Sequence, residues 1–283
     1  MVGRSVTHEA SRALRQSRKA LECVLVDLST QHDFLDEAGA CRVHNATMVL
    51  PSWRRVVAWA RRNQVPVISA MDTHRPQELP TDGFPVHCID GSPGHRKVEF
   101  TMLPSRLFIE FDNTFSVPLD PFQSYQQVIF RKRSRDLLAN PKADRFLTQL
   151  LANEFVAFGS GVEYSVKALV LGLLARSKRV TVVRDACGFW NRTEAELSLR
   201  QMEAKGATLI TVEELMRRKL KRPIRYPSRH ILHTGNGNGN GNGQHAPDGN
   251  GERAAPVNGN SHAHAPGNGS AAAAAEPTKL SPP

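Results

Sequence analysis

Cysteine is scarce in this chain, and none of its four cysteines (Cys23, Cys41, Cys88 and Cys187) falls in a Cys-x-x-Cys spacing. Without a secretory pattern beside them, this excludes a disulfide scaffold and a zinc ribbon, and the expected state is reduced thiols in a cytoplasm. Long apolar runs are missing too. The best, Val166 to Leu174, is broken by Lys167 and followed by Arg176 and Lys178, so a bilayer span is excluded and no membrane partner is expected. Large aliphatic clusters stop at about Gly235, where GNGNGNGNG gives way to Pro-, Ala-, His- and Asn-rich sequence. Such a stretch buries too little to offset its ordering entropy, so residues 234–283 read as a disordered tail.

Acidic residues are absent from 217–229, where Arg217, Arg218, Lys219, Lys221, Arg222, Arg225 and Arg229 supply much of the formal charge of +10. This arm, 217–233, reads as a solvated extension. Nucleic acid is an alternative partner for it, disfavoured by the lack of interleaved aromatics. The N-terminal segment 1–20 is also basic, through Arg4, Arg12, Arg15, Arg18 and Lys19, and lacks the apolar stretch of a secretory signal. What remains, 21–216, is the size of one α/β domain.

Within that domain short apolar runs alternate with helical patterns. CVLVDL, VPVISA, RLFIEF, QQVIF, EFVAFG, RVTVVRD and ATLITV read as strands, with helices over Trp53 to Arg62, Ala143 to Ala152, the segment after Ser165, and Glu194 to Ala204. This alternation predicts βαβ units around a parallel sheet whose strands end at one edge, where ligands bind. The polar residues just past the strand ends are therefore the candidates for chemistry. FVAFGSGVEYSVKALVLGLL puts Ser165 at such a strand-to-helix junction, where the dipole would acidify a thiol but does far less for a hydroxyl.

Asp72 and His74 are two residues apart in extended sequence and so point to one side, and His87 follows a loop holding Pro76, Pro80 and Pro85. One carboxylate and two imidazoles suit a catalytic zinc site or a non-haem iron triad. On spacing alone, ordinary turn residues account for them equally well.

The succession DTHRPQ, FPVHCIDGSPG, FRKRS, GSGVEYSVKA and RVTVVRDAC closely resembles the isochorismatase-like cysteine hydrolase superfamily, nicotinamidases in particular, from about Cys23 to Leu215. The resemblance implies a three-layer α/β/α fold with a central parallel sheet, a homo-oligomer, and a small amide or pyridine-like ligand. It implies that Asp72, His74 and His87 hold a divalent metal, zinc first among the candidates. It gives a triad of aspartate, lysine and cysteine, whose positions here fall on Ser29, Lys132 and Ser165. Phe34, Phe84, Val162 and Tyr164 are the implied pocket walls, Phe84 standing where nicotinamidases often carry tryptophan. Backbone N–H groups of Val162 to Ser165 are the implied oxyanion hole.

Two triad positions thus depart together. Asp27 lies about 6.6 Å further back on the same strand face, too far to replace the missing base, and reads as an aspartate satisfied by backbone. A serine nucleophile needs a real base, and losing members of such a unit costs about 10⁴ to 10⁶ in turnover. The expectation is a hydrolase homologue that has lost thiol chemistry and keeps a metal and ligand pocket. Two rescues stay open: Lys132 made neutral by Arg131 and Arg133 and acting as base for Ser165, or a metal-bound water. Cys88 and Cys187, as relocated thiols, are the weaker options.

Overall fold

The computed structural model describes residues 20–77, 83–111 and 117–221. The basic N-terminal segment, Pro80, the distal arm from Arg222 and the Gly/Asn tail lie outside the described residues.

Seven strands, all parallel, form one sheet: β1 (Val24–Leu28), β2 (Val67–Asp72), β3 (Arg106–Ile109), β4 (Gln127–Lys132), β5 (Phe155–Gly159), β6 (Val180–Cys187) and β7 (Thr208–Ile210), in the order β3-β4-β2-β1-β5-β6-β7. β1, β2 and β5 are buried throughout, as parallel strands covered on both faces must be. Helices α3 (Pro141–Gln149), α4 (Lys167–Ala175) and α5 (Arg192–Ala204) pack on one face around Val26, Phe130 and Val170. On the other face, α2 (Ala46–Arg62) and α6 (Val212–Arg217) pack around Leu25, Trp53 and Phe158. A short α1 (His32–Leu35) follows β1 directly. The fold is the expected three-layer α/β/α, and no helix among the described residues is long and apolar enough to cross a membrane.

The chain runs outward from β1 through β2 and then crosses back to place β5 on the other side of β1. The connection leaving β1 leads to helices on one face, and the one leaving β5 leads to α4 on the other. Loops that diverge in this way open a crevice at the carboxyl ends of β1 and β5.

Several element boundaries differ from the sequence reading. α2 begins at Ala46, a full turn and more before Trp53, and tolerates Pro51 inside its early turns. α3 begins at Pro141 because Asn140 caps it, accepting from the N–H groups of Lys142 and Ala143. The expected strand ATLITV stops at Ile210, where Thr211 and Glu214 form a capping box and start α6. Arg217 lies in the last turn of α6, exposed and paired with Glu213, and Arg218 contacts Glu154 at 2.9 Å.

Candidate functional site

Ser29 directly follows β1 with φ +53°, a left-handed turn that carries its side chain out of the strand's alternation. Its Oγ donates to Asp72 Oδ2 at 2.5 Å. Asp72 is the last residue of β2, and its backbone is clamped by buried Gln31, whose amide oxygen accepts the Asp72 N–H at 2.7 Å while its amide nitrogen donates to the Asp72 carbonyl at 2.8 Å. Lys132, the last residue of β4 and directly paired in register with Asp72, donates to Asp72 Oδ1 at 2.5 Å. Both oxygens of one carboxylate are thus engaged by the two neighbouring strand ends.

The carboxylate of Asp72 is buried, with only its edge reaching the pocket. Burial opposes its charge, but the Lys132 ammonium and the hydrogen bonds from Lys132 and Ser29 prevail and hold its pKa below the ordinary carboxylate range. Lys132 is 1% exposed and lies beneath the pocket floor. Its ammonium also reaches Ser165 Oγ at 3.4 Å and the Ser134 carbonyl at 3.2 Å. Lys132 is thus the basic residue of this strand end that reaches both Asp72 and Ser165. Arg131 points to the opposite face of the sheet, toward Asp90 and Glu110.

Ser165 does not stand in the first turn of α4. Gly159 and Gly161, at φ +136° and +74°, turn the chain into a π-type turn, Val162–Val166, that carries Ser165 before α4 begins. Its hydroxyl meets the Lys132 ammonium, and no carboxylate or imidazole hydrogen-bonds it among the described residues. The implied oxyanion hole is also reduced, because Val162 N–H donates to the Gly188 carbonyl and Tyr164 N–H to the Gly161 carbonyl. Val162 belongs to the core and not to the pocket wall, a correction to the sequence reading.

Asp72, His74 and His87 each offer one donor atom, all within 4.8 Å of one another. His87 Nδ1 lies 2.7 Å from the Pro85 carbonyl, which fixes that nitrogen as the donor and leaves the Nε2 lone pair available to a metal. His74 is held by a parallel bridge to Ile89 on the loop that carries His87. One carboxylate and two imidazoles fit a borderline divalent metal.

A pocket of about 250 Å³ opens above these groups, lined by Ser29, Asp72, His74, His87, Ser165 and an aromatic wall. Phe34, Phe84 and Tyr164 belong to that wall. Trp190, which the sequence reading missed, completes it with ring centroids 4.8 Å from Phe84 and 5.9 Å from Phe34. Gly161 makes room for it, since a Cβ there would meet the indole at 2.9 Å. The Arg135 guanidinium covers the Phe84 and Tyr164 rings at 4.6 and 4.1 Å. No local pattern marks Trp190; only the position of its segment just beyond β6 points to it.

The other candidates are accounted for. Asp27 is buried and satisfied by side chains rather than backbone: Thr30 Oγ1 at 2.7 Å, Ser69 Oγ at 2.9 Å and the Lys97 ammonium at 2.7 Å. All four cysteines are free and buried. Burial pushes the thiols of Cys23, Cys41 and Cys187 up to about 12, and burial with nearby Asp72 and Asp33 raises that of Cys88 further, so none is a thiolate nucleophile.

The site is thus a pocket at the carboxyl ends of the central strands of a parallel three-layer α/β domain, with polar strand-end side chains and three residues whose donor atoms could hold a metal. The chain belongs to the isochorismatase family of hydrolases: the Isochorismatase domain model matches residues 23–214. Solved structures share the fold. A nicotinamidase/pyrazinamidase from Bacillus subtilis is similar with TM-score 0.55 and 17% identity, covering 67% of this chain and 99% of its own. An isochorismatase-like hydrolase from Alkaliphilus metalliredigens gives TM-score 0.55 and 16% identity, over 68% of this chain and 96% of its own. An N-carbamoylsarcosine amidase from Thermoplasma acidophilum gives 0.52 and 17%, over 68% and 98%. No curated protein matches the chain in sequence.

Proposed function

We propose that this protein is an isochorismatase-family member that binds a divalent metal and a small planar amide or pyridine-like ligand, and that does not carry out thiol-type acyl transfer. The observation that carries this reading is the allocation of Asp72. Its two oxygens take the Lys132 ammonium and the Ser29 hydroxyl at 2.5 Å each, so a hydroxyl stands where a base would face Ser165 and the lysine is tied to Asp72. Ser165 then meets a donor where it needs an acceptor. An alcohol without a base is a poor nucleophile at neutral pH, which argues against the Ser165–Lys132 rescue.

The remaining groups suit binding. Phe34, Phe84, Tyr164 and Trp190 offer ring faces and edges to a flat ligand. Asp72, His74 and His87 would hold the metal, zinc being the first candidate for this donor set, and the metal would supply a Lewis acid for a ring nitrogen or carbonyl. Gln31 positions the Asp72 backbone, and the Pro85 carbonyl orients His87.

The test uses the full-length, zinc-loaded protein with nicotinamide, followed by calorimetry and by ammonia release in parallel. Saturable, metal-dependent binding without ammonia above the uncatalysed rate is expected. Turnover that disappears in Ser165→Ala would overturn the reading and restore serine catalysis.

A further inference from the structure

A second and larger cavity, of about 890 Å³, lies on the α2 face of the sheet and is lined by Arg61, Met71, Arg96, Leu103, Arg106 and Phe108, among others. It is separate from the aromatic pocket. Met71 and Arg131 line it, whereas their neighbours Asp72 and Lys132 point to the other face, as strand alternation requires. Its volume lies in the range of small-molecule sites, about 300 to 1,000 Å³, with a largely apolar lining and a few fixed polar groups.

The polar groups are unusual in their charge balance. Arg61 Nη2 donates to the carbonyls of Phe100 and Met102 at 3.0 and 2.9 Å, and Arg106 Nη1 donates to the Leu103 carbonyl at 2.9 Å. Carbonyls fix a guanidinium without cancelling its charge. Arg61, Arg96 and Arg106 form no ion pair with any described carboxylate. Elsewhere in the lining the charges are matched: Arg131 pairs with Asp90, and the buried Lys97 pairs with Asp27. Glu99 is the one lining carboxylate left to set against three arginines; it faces His32 at 3.4 Å and feels the charge of Arg96, so it offsets at most one of the three. His95 adds no cation at neutral pH, since burial pushes its pKa down.

We propose that this cavity is a second ligand site, for a small organic anion whose apolar body lies against Met71, Leu103 and Phe108 and whose phosphate or carboxylate is taken by Arg61, Arg106 and Arg96. Preoriented guanidiniums are suited to such groups, because the planar fork can donate two parallel hydrogen bonds to one anion. The opposing wall is the segment Asp90 to Lys97, which continues directly from the loop bearing His87.

Phenyl phosphate and benzoate, titrated by calorimetry and by backbone NMR shifts into the full-length protein, test the site and separate the two anion types. Benzyl alcohol serves as the neutral control. At least one anion should bind saturably, with shifts centred on Met71, Leu103 and Phe108, at least tenfold more tightly than the alcohol. Arg61→Gln with Arg106→Gln should weaken it tenfold or more, while Phe84→Ala leaves it unchanged. Arg96→Gln, at a side chain without a structural hydrogen bond, should weaken it measurably should the double variant fold poorly. Absence of saturable binding, binding indifferent to all three arginines, or shifts mapping to Phe84 and Trp190 would each overturn the proposal. So would a change of oligomeric state in Arg61→Gln/Arg106→Gln by sedimentation, which would make the cavity a contact between copies of the chain.

Discussion

On the β2 side of the pocket, Asp72, His74 and His87 keep three donor atoms within 4.8 Å, with His87 oriented by the Pro85 carbonyl. On the β1 and β5 side stand Ser29 and Ser165, whose hydroxyl side chains also reach the pocket. The backbone machinery is the same on both sides: a strand end, a turn, and a residue held in place by buried partners. What separates the two sides is the side-chain chemistry, metal-ligating residue types on one and hydroxyls on the other; on the proposed reading the pocket keeps its shape without the thiol reaction. The link between the halves is Asp72, which lies in the metal set and now also serves as counterion to Lys132.

The largest effect should come from restoring the altered side. Ser29→Asp with Ser165→Cys places a carboxylate and a thiol around Lys132. Amide hydrolysis should rise by about 10⁴-fold or more over the native chain, with a thioester adduct visible by mass spectrometry. Each single substitution should remain near background, because these groups act as a unit. A double variant that binds metal and ligand but forms no adduct with any activated amide would mean that the two sides have diverged in geometry as well as in chemistry.

Next in size is damage to the shared residue. Asp72→Ala should lower zinc affinity by roughly 100-fold, read by calorimetry, and cost about 3–5 kcal/mol of stability because Lys132 is left buried without its counterion. His74→Ala should lower metal affinity comparably with a much smaller loss in denaturant midpoint. Equal stability losses in the two variants would deny that Asp72 joins the halves.

The pH dependence gives a finer test of the same link. Because the folded pKa of Asp72 is depressed, its stabilising contribution is complete above its unfolded value near 3.9 and is lost as pH falls through the lower folded value. In Lys132→Met the main cause of the depression is gone and only the Ser29 hydrogen bond and a weaker influence of His87 are left against burial, so the folded pKa should rise above the unfolded one. Stability of that variant should then fall as pH increases above about 4, the opposite slope to the native protein in the acid range. Parallel slopes in urea titrations between pH 3 and 6 would show that Lys132 is not the group holding Asp72 ionised.

The sequence showed the two sides unequally, for physical reasons. Strand runs such as VLVDL and FVAFG declare themselves because both faces are buried, and the parallel alternation follows from them. The convergence of Ser29, Asp72, Lys132 and Ser165 was legible because all four sit at or just past strand ends, and strand ends share one edge. The pairing of Lys132 and Ser29 with Asp72 was not legible, since it depends on register between strands far apart in sequence. Trp190 was missed for the same reason: it reaches Phe84 across the crevice from β6, a contact that no local spacing encodes. α6 was overlooked although Thr211-x-x-Glu214 spells a capping box, because the preceding apolar run was read as strand to its last residue.

The smallest effect should fall on the aromatic wall that both sides share. Trp190 stacks edgewise on Phe84 and Phe34 and donates its indole N–H to the Cys41 carbonyl at 3.1 Å, so it is held from both sides of the crevice. Trp190→Phe keeps a ring and loses the tether. An aromatic contact is worth about 0.5–1.5 kcal/mol beyond area burial, so nicotinamide affinity should drop about 2- to 10-fold while zinc affinity stays within error. If metal affinity falls with ligand affinity, the wall and the metal set are not separable, and the division of the pocket into a preserved and an altered side would have to be redrawn around Trp190 rather than around Asp72.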